Sequence, residues 1–274
     1  MRKSKFEITP QSKGDYPMVQ TNKLFILLLV LFALMPFGQA AAQAFDCAGV
    51  SEIPQVECEA LVALYNSTNG PGWTNNDGWL QNNQPSAWYG VTVEGGTVTK
   101  LILNLNQLSG PIPPQLGNLD NLQGLYLTNN QLSGPIPPQL GDLDNLLELF
   151  LNRNQLTSPI PPELSNLSSL NYLYLGGNKL SGHIPTELSN LSNLKNLFLG
   201  GNVLSGPIPL ELQMTPLEVL VFVDNTNLCV PTNTDFQNWL AGLGVISPRP
   251  DEWVVCRDPA SLTSAIYLPL VLVQ

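Results

Sequence analysis

The chain has 274 residues, of which only 12% are charged, and its formal net charge is −10. This acidic balance excludes the basic footprint that nucleic-acid binding needs, so no nucleic-acid partner is expected. The 24 prolines and 22 glycines indicate a chain rich in turns.

Residues 1–44 have the pattern of a secretory signal peptide. A mildly basic stretch precedes the apolar run Leu24–Phe37, which is too short to span a bilayer comfortably. The small residues Ala42-Gln-Ala44 follow and predict cleavage after Ala44. We therefore expect a secreted or cell-surface protein that begins at Phe45 and has no stable transmembrane span. Two alternatives stay open, which are a start at Met18 and retention of the apolar run as an anchor.

The four cysteines of this exported chain predict two disulfide bonds. Proximity in the sequence favours Cys47–Cys58 and Cys229–Cys256, although four cysteines allow three connectivities. A zinc site is disfavoured because the spacing does not fit one and the only histidine, His183, is far from every cysteine. No metal and no cofactor are expected.

Residues 98–225 repeat with a period of 24, except that the sixth unit arrives one residue early. Copies or variants of Leu-Ser-Gly-Pro-Ile-Pro begin at Leu108, Leu132, Leu156, Leu180 and Leu204. Within the first unit, Leu101 and Leu103 alternate with other residues, as in a strand that is buried on one face. Such a period is typical of stacked units, and about six of them would share one continuous core.

An asparagine follows each predicted strand. The six positions are Asn106, Asn130, Asn154, Asn178, Asn202 and Asn225. A side-chain amide has both donors and an acceptor, so it can satisfy backbone groups where the strand leaves the sheet. We interpret this asparagine ladder as structural rather than ligand-binding.

The repeated unit resembles the plant-type leucine-rich repeat, L-x-x-L-x-L-x-x-N-x-L-x-G-x-I-P, over nearly half the chain. The resemblance implies an α/β solenoid, which is a right-handed superhelix with a parallel sheet on its concave face. Short helical or 3-10 segments would line the convex side, with helical caps at both ends. It also implies binding of a protein or glycan rather than catalysis. Ser158 departs from the pattern, since four other copies have glycine there, and it is strained if that position requires positive φ.

Residues 45–97 resemble the N-terminal cap of this family, which covers the apolar edge of the first repeat. The tryptophans of this segment are interpreted as cap core rather than as a ligand platform. The family places cysteines beside its Trp-x-Gly-Val-Thr segment, where this chain has Ser86 and Val93. One family disulfide is therefore absent as a unit.

Residues 226–257 resemble the C-terminal cap, with a helix for which Thr234 is the expected N-cap. Residues 258–274 then form a linker and a short apolar tail, Tyr267–Val273. The tail resembles the endings of some secreted bacterial proteins. Its role, as a sorting signal or as a strand on the cap, stays open.

No arrangement of nucleophile, base and orienting group can be recognised in the sequence, and it has no phosphate-binding or calcium-binding loop pattern. His183 stands where four other repeats have proline, in a turn expected to face solvent. We therefore expect no enzymatic activity.

The candidate binding site is a column of residues between the paired inward leucines, on the concave face. The column reads Ile102, Tyr126, Phe150, Tyr174, Phe198 and Val221, and Tyr172 adds a fifth aromatic residue beside it. We expect these aromatic residues to bind an extracellular protein, peptide or glycan. Glycines nearby, such as Gly124 and Gly176, are expected to leave the ring faces uncovered.

Two alternatives compete with this site. The rings could simply pack on one another along the stack. The whole protein could instead be a structural or adhesive spacer at the cell surface. In either case we expect a monomer.

Overall fold

The structure, a computed structural model, describes residues 45–224, 227–243, 245–247 and 254–256. The predicted signal peptide, Asn225 and the tail Tyr267–Val273 lie outside the described residues. Within the described ranges, no helix combines the length and the apolar character needed to cross a membrane.

Among the described residues, two α-helices flank a series of short strands and 3-10 turns. The helices are α1 (Gln55–Ser67) and α2 (Thr234–Ala241). The strands are β1 (Val91–Glu94), β2 (Thr97–Ile102), β3 (Ser109–Pro111), β4 (Gly124–Tyr126), β5 (Gln131–Gly134), β6 (Glu148–Phe150), β7 (Gln155–Leu156), β8 (Tyr172–Tyr174), β9 (Ser181–Gly182), β10 (Asn196–Phe198), β11 (Val203–Pro207), β12 (Val219–Val221), β13 (Asn227–Cys229) and β14 (Val245–Ser247). The five-residue 3-10 turns of the repeats are Pro114–Asn118, Pro138–Asp142, Pro162–Asn166, Thr186–Asn190 and Leu210–Met214.

The main sheet takes one strand from each repeat. Its order is β1-β2-β4-β6-β8-β10-β12-β14. Strand β1 is antiparallel to β2, and every later pair is parallel. The predicted leucine-rich repeat fold, with its parallel sheet and short 3-10 turns, is therefore confirmed. We call the solvent-facing side of this sheet the concave face.

Shorter strands form two further sheets, of order β3-β5-β7 and β13-β11-β9. Ser158 lies in the chain between β7 and β9, where these two sheets are separate. Its φ is +72°, in the left-handed region that favours glycine. The backbone at this position therefore has positive φ, which is the condition under which a serine there is strained.

The core follows from the leucine spacing. Leu125 and Leu127 are fully buried, while Tyr126 between them faces outward, because successive side chains of a strand point to opposite sides. Each Ile-Pro pair then turns the chain towards a 3-10 turn, as at Pro137, where φ is −63°. Leu140 of that turn is also fully buried and closes the unit from the other side.

Residues 45–97 pack against the first repeat through α1, which contacts the turn Pro114–Asn118. A disulfide joins Cys47 to Cys58. The tryptophan rings of this segment are buried, and the Trp73 and Trp79 rings meet edge to face at 4.9 Å.

At the other end of the stack, the N-cap of α2 is Asn233 and not Thr234. The Asn233 side chain accepts a hydrogen bond from the Phe236 N–H at 2.8 Å, whereas Thr234 is already the first helical residue. An asparagine side chain satisfies this free N–H at least as well as a threonine. The second disulfide joins Cys229 to Cys256, with Cα atoms 4.9 Å apart.

Candidate functional site on the concave face

The register of the main sheet places the predicted column in line. Tyr126 pairs with Phe150, Phe150 with Tyr174, and Tyr174 with Phe198. Ile102 and Val221 continue the column at its two ends. Tyr172 lies in the adjacent column, where it pairs with Glu148 and Asn196.

The four rings of the column contact one another. The Phe150 and Tyr174 rings are parallel within 5°, with centroids 4.4 Å apart. Tyr174 and Phe198 are 4.3 Å apart at 48°, and Tyr126 meets Phe150 edge to face at 5.2 Å. Parallel strands lie about 4.8 Å apart, so identical positions on successive strands bring rings to stacking distance.

The expectation that neighbouring glycines leave the ring faces uncovered is wrong. The Tyr126 ring lies over Gly124, where an added Cβ would come within 2.5 Å of the ring atom Cε2. At Gly176, an added Cβ would lie 2.9 Å from the Gly200 carbonyl oxygen. These glycines make room for a ring or for a neighbouring backbone, and the ring faces are used in packing.

Polar groups border the ring column. The Tyr126 hydroxyl donates to Glu148 Oε2 at 2.8 Å. Burial, then this hydrogen bond and the negative charge of Glu148, raise the pKa of Tyr126 to about 12. Tyr126 therefore stays a neutral donor at physiological pH and holds the Glu148 carboxylate beside the first ring.

A second polar row lies on the other side of the column, two residues after each column residue. The Thr128 hydroxyl donates to Asn152 Oδ1 at 2.8 Å, and the Thr128 N–H donates to Asn104 Oδ1 at 2.8 Å. On the Glu148 side, the Asn196 side chain donates to the Tyr174 hydroxyl at 3.3 Å. The apolar column thus lies between two rows of hydrogen-bonding side chains.

The asparagine ladder lies below this surface, and its side chains bond to backbone. Asn154 Oδ1 accepts from the Leu132 N–H at 3.0 Å. Its Nδ2 donates to the carbonyls of Leu127 and Leu151, at 2.9 and 3.0 Å. Asn130, Asn178 and Asn202 repeat the pattern in their own repeats.

The first member of the ladder, Asn106, extends the pattern to the segment before the repeats. Its side chain accepts from the Asn75 N–H at 2.6 Å and donates to the Asn75 carbonyl at 2.8 Å. Asn106 therefore ties residues 45–97 to the first repeat.

The residue before each ladder asparagine has a left-handed backbone, a feature that the sequence did not reveal. These residues are Leu105, Asn129, Arg153, Gly177, Gly201 and Asp224, with φ between 55° and 69°. Positive φ explains why positions 177 and 201 are glycine, and this explanation does not involve the rings. Four of the six residues are glycine, asparagine or aspartate, the types that adopt this conformation most readily, so the sequence carries a partial signal.

Among the described residues, no group of three or more histidine, cysteine or acidic side chains could hold a metal ion. The concave face presents an apolar stripe that is bordered on both sides by hydrogen-bonding side chains.

The Leucine Rich Repeat family model matches residues 97–119, 121–143, 145–167 and 169–191. The chain is 31% identical to the leucine-rich repeat ectodomain of the receptor kinase SOBIR1 from Arabidopsis thaliana, with a TM-score of 0.57 over 65% of this chain and 97% of that one. It is 36% identical to a chain of the BIR3–SERK2 complex of the same plant, with a TM-score of 0.54 over 64% of this chain and 95% of that one. The BIR2 ectodomain, also from Arabidopsis thaliana, is 33% identical, with a TM-score of 0.58 over 65% of this chain and 96% of that one. A comparison with curated proteins found no match.

The chain therefore belongs to the leucine-rich repeat family. Within that family, its repeats share their fold with the ectodomains of plant receptors.

Proposed function

We propose that this protein is a non-enzymatic, extracellular recognition module that binds a protein or peptide partner on its concave face. The observation that carries the proposal is the ring column Tyr126–Phe150–Tyr174–Phe198, which is in register on four strands and half-buried before any partner binds. Similarity to a chain from a complex between two proteins supports a protein partner.

The ring geometry favours a peptide or protein over a glycan. Sugars stack on the free faces of aromatic rings, but the Phe150 and Tyr174 faces lie against each other at 4.4 Å. The two ring faces that meet are closed to a sugar. Ring edges carry partial positive charge and suit carbonyl groups and apolar side chains. The rows that contain Glu148 and Asn152 can then fix the direction of a bound chain by hydrogen bonds.

The energetics also suit an apolar anchor from the partner. The rings are already ordered by stacking, so little rotamer entropy remains to be lost on binding. Covering the residual apolar surface contributes about 25 cal/mol per Å². A partner side chain such as leucine, placed across the edges of Phe150 and Tyr174, would use this surface without breaking the stack.

The test is a binding screen of the mature protein on peptide and glycan arrays, followed by variants of the column. We expect peptide ligands whose capture falls in the double variant Phe150→Ser/Tyr174→Ser. The matched control is Gln139→Ser, at an exposed position on the opposite, convex side. Circular dichroism shows whether the double variant keeps its fold.

Capture that persists in a folded double variant would contradict the concave site. Binding restricted to glycans would contradict the ligand class and restore the glycan alternative. Absence of any ligand on both arrays would favour the structural or adhesive spacer.

We also propose that residues 45–97 and 226–257 act as caps, and that the protein is exported after removal of residues 1–44. The packing of α1 on the first repeat and the two disulfides support these assignments. N-terminal sequencing of the secreted protein should begin at Phe45, and finding Leu24–Phe37 retained would indicate an anchored protein instead.

A further inference from the structure

A groove of about 680 Å³ lies at the C-terminal end of the repeats, away from the concave face. Prolines from three successive segments form much of its wall, among them Pro185, Pro209 and Pro231. Leu210 also lines it, with Glu187 and Glu211 among its polar groups. We call it the C-terminal groove.

The last repeat departs from the others beside this groove. Leu210 is 41% exposed and stands where earlier repeats have proline or threonine, as at Pro138. Met214 is 79% exposed and stands where they have asparagine or aspartate, as at Asp142. Exposed apolar side chains at these two positions, one in the groove wall and one in the same 3-10 turn, indicate a surface that is covered by an apolar segment.

Cys256, near the C-terminal end of the chain, is held beside the wall of the groove. The Cys256 N–H donates to the Val230 carbonyl at 2.8 Å, and Val230 directly precedes Pro231 of the wall. The disulfide to Cys229 fixes Cys256 at this place. Cys256 therefore lies beside the wall of the groove, and Val254 and Val255 just before it are exposed.

The apolar tail Tyr267–Val273 is within reach. The ten residues 257–266 separate it from Cys256, and ten extended residues span up to about 33 Å. A segment tethered this closely has an effective concentration in the millimolar range. A separate molecule would need to be present at that concentration to compete equally.

The composition of the tail matches the groove. Residues 259–274 carry no charged side chain. Pro269 favours an extended backbone at Leu268, and in an extended segment Leu268, Leu270 and Leu272 share one side. We propose that Tyr267–Val273 binds in the C-terminal groove of its own chain and covers the exposed apolar end of the repeats.

The test places a photo-crosslinking amino acid at Tyr267 in the full chain and maps the crosslinks by mass spectrometry. We expect crosslinks within one chain, to residues of the C-terminal groove. Leu210→Asp and Leu270→Asp should each lower their yield about tenfold or more, because an apolar contact excludes a carboxylate. Pro138→Asp, at the position equivalent to Leu210, should leave the yield unchanged.

Three outcomes would overturn the proposal. Crosslinks between two chains, with a dimer in solution, would mean that the tail binds a second copy. A crosslink pattern unchanged by both Leu210→Asp and Leu270→Asp would mean that the contact is not in the groove. Absence of residues 267–273 from the mature secreted protein would assign the tail to sorting. Circular dichroism of each variant separates lost contact from lost fold, and Leu270→Asp decides the matter if Leu210→Asp unfolds.

Discussion

Ser158 has a backbone conformation that glycine adopts at lower energy. Its φ is +72°, and the equivalent Gly134 and Gly182 have φ of +77° and +80°. The left-handed region costs a residue with a Cβ roughly 1–2 kcal/mol. Glycine loses roughly 0.5–1 kcal/mol more in backbone entropy on folding. The difference predicts that Ser158→Gly raises the free energy of unfolding by up to about 1 kcal/mol.

The reverse substitution provides the matched control. An added Cβ at Gly134 would meet only the Pro111 Cβ, at 3.9 Å, so Gly134→Ser adds the conformational cost without a clash. We expect it to lower the free energy of unfolding by a similar amount. Gly110 is unsuitable for this comparison, because an added Cβ there would lie 2.3 Å from the Ser67 carbonyl oxygen.

The assay is thermal and urea unfolding of the wild type and both variants, monitored by circular dichroism. A change of 1 kcal/mol corresponds to roughly 2–4 °C in Tm for a chain of this size. Repeat arrays can unfold in parts, so the m-value must be compared as well as the midpoint. The hydrogen bond from the Ser181 N–H to the Ser158 carbonyl, at 3.1 Å, does not depend on the side chain. A clear loss of stability in Ser158→Gly, at unchanged m-value, would refute the conformational explanation.

Two further substitutions test buried polar groups. Burial raises the pKa of Glu57 above its ordinary value of 4.5, so its stabilising contribution is present below that pH and is lost as pH rises through the raised pKa. Glu57→Gln keeps an acceptor for the Val98 N–H, and its stability relative to wild type should grow in urea unfolding as the pH rises from 4.5 through the raised pKa, and level off above it; a difference independent of pH would contradict this. Asn154→Ala leaves the Leu132 N–H unsatisfied and removes one of two amide donors from each of the Leu127 and Leu151 carbonyls, which keep Asn130 and Asn178 as donors. It should lower the free energy of unfolding by about 2 kcal/mol or more, whereas Asn152→Ala should cost about 1 kcal/mol or less. Equal losses in these two variants would show that the hydrogen bonds of a ladder asparagine stabilise the fold no more than those of an asparagine outside the ladder.

The fold could be predicted because one short pattern specifies it many times. Leu125 and Leu127 are buried for the same reason as their counterparts in every other repeat, and each copy adds independent support to the assignment. The hydrogen bonds of Asn154 follow from the chemistry of an amide at a point where a strand ends. Periodicity and side-chain chemistry are both visible in a sequence.

The left-handed residues were not predictable in the same way. Leu105, Asn129 and Arg153 share this backbone conformation but not a residue type. Each of these residues directly precedes a ladder asparagine, so the conformation recurs with the repeat while the side chain differs. The repeats therefore share this backbone conformation, but no single residue type marks it in the sequence.

At the candidate site, the sequence predicted which residues are neighbours but not how their rings are oriented. The sequence placed Tyr126, Phe150, Tyr174 and Phe198 in one column, because the repeat length fixes which residues are neighbours across the sheet. It could not show where the rings point, since that depends on rotamers selected by packing. Because the Phe150 and Tyr174 faces meet at 4.4 Å, we propose a peptide or protein partner rather than a sugar stacked on a ring face. The proposed ligand class therefore depends on the orientation of the rings, which the repeat pattern does not encode.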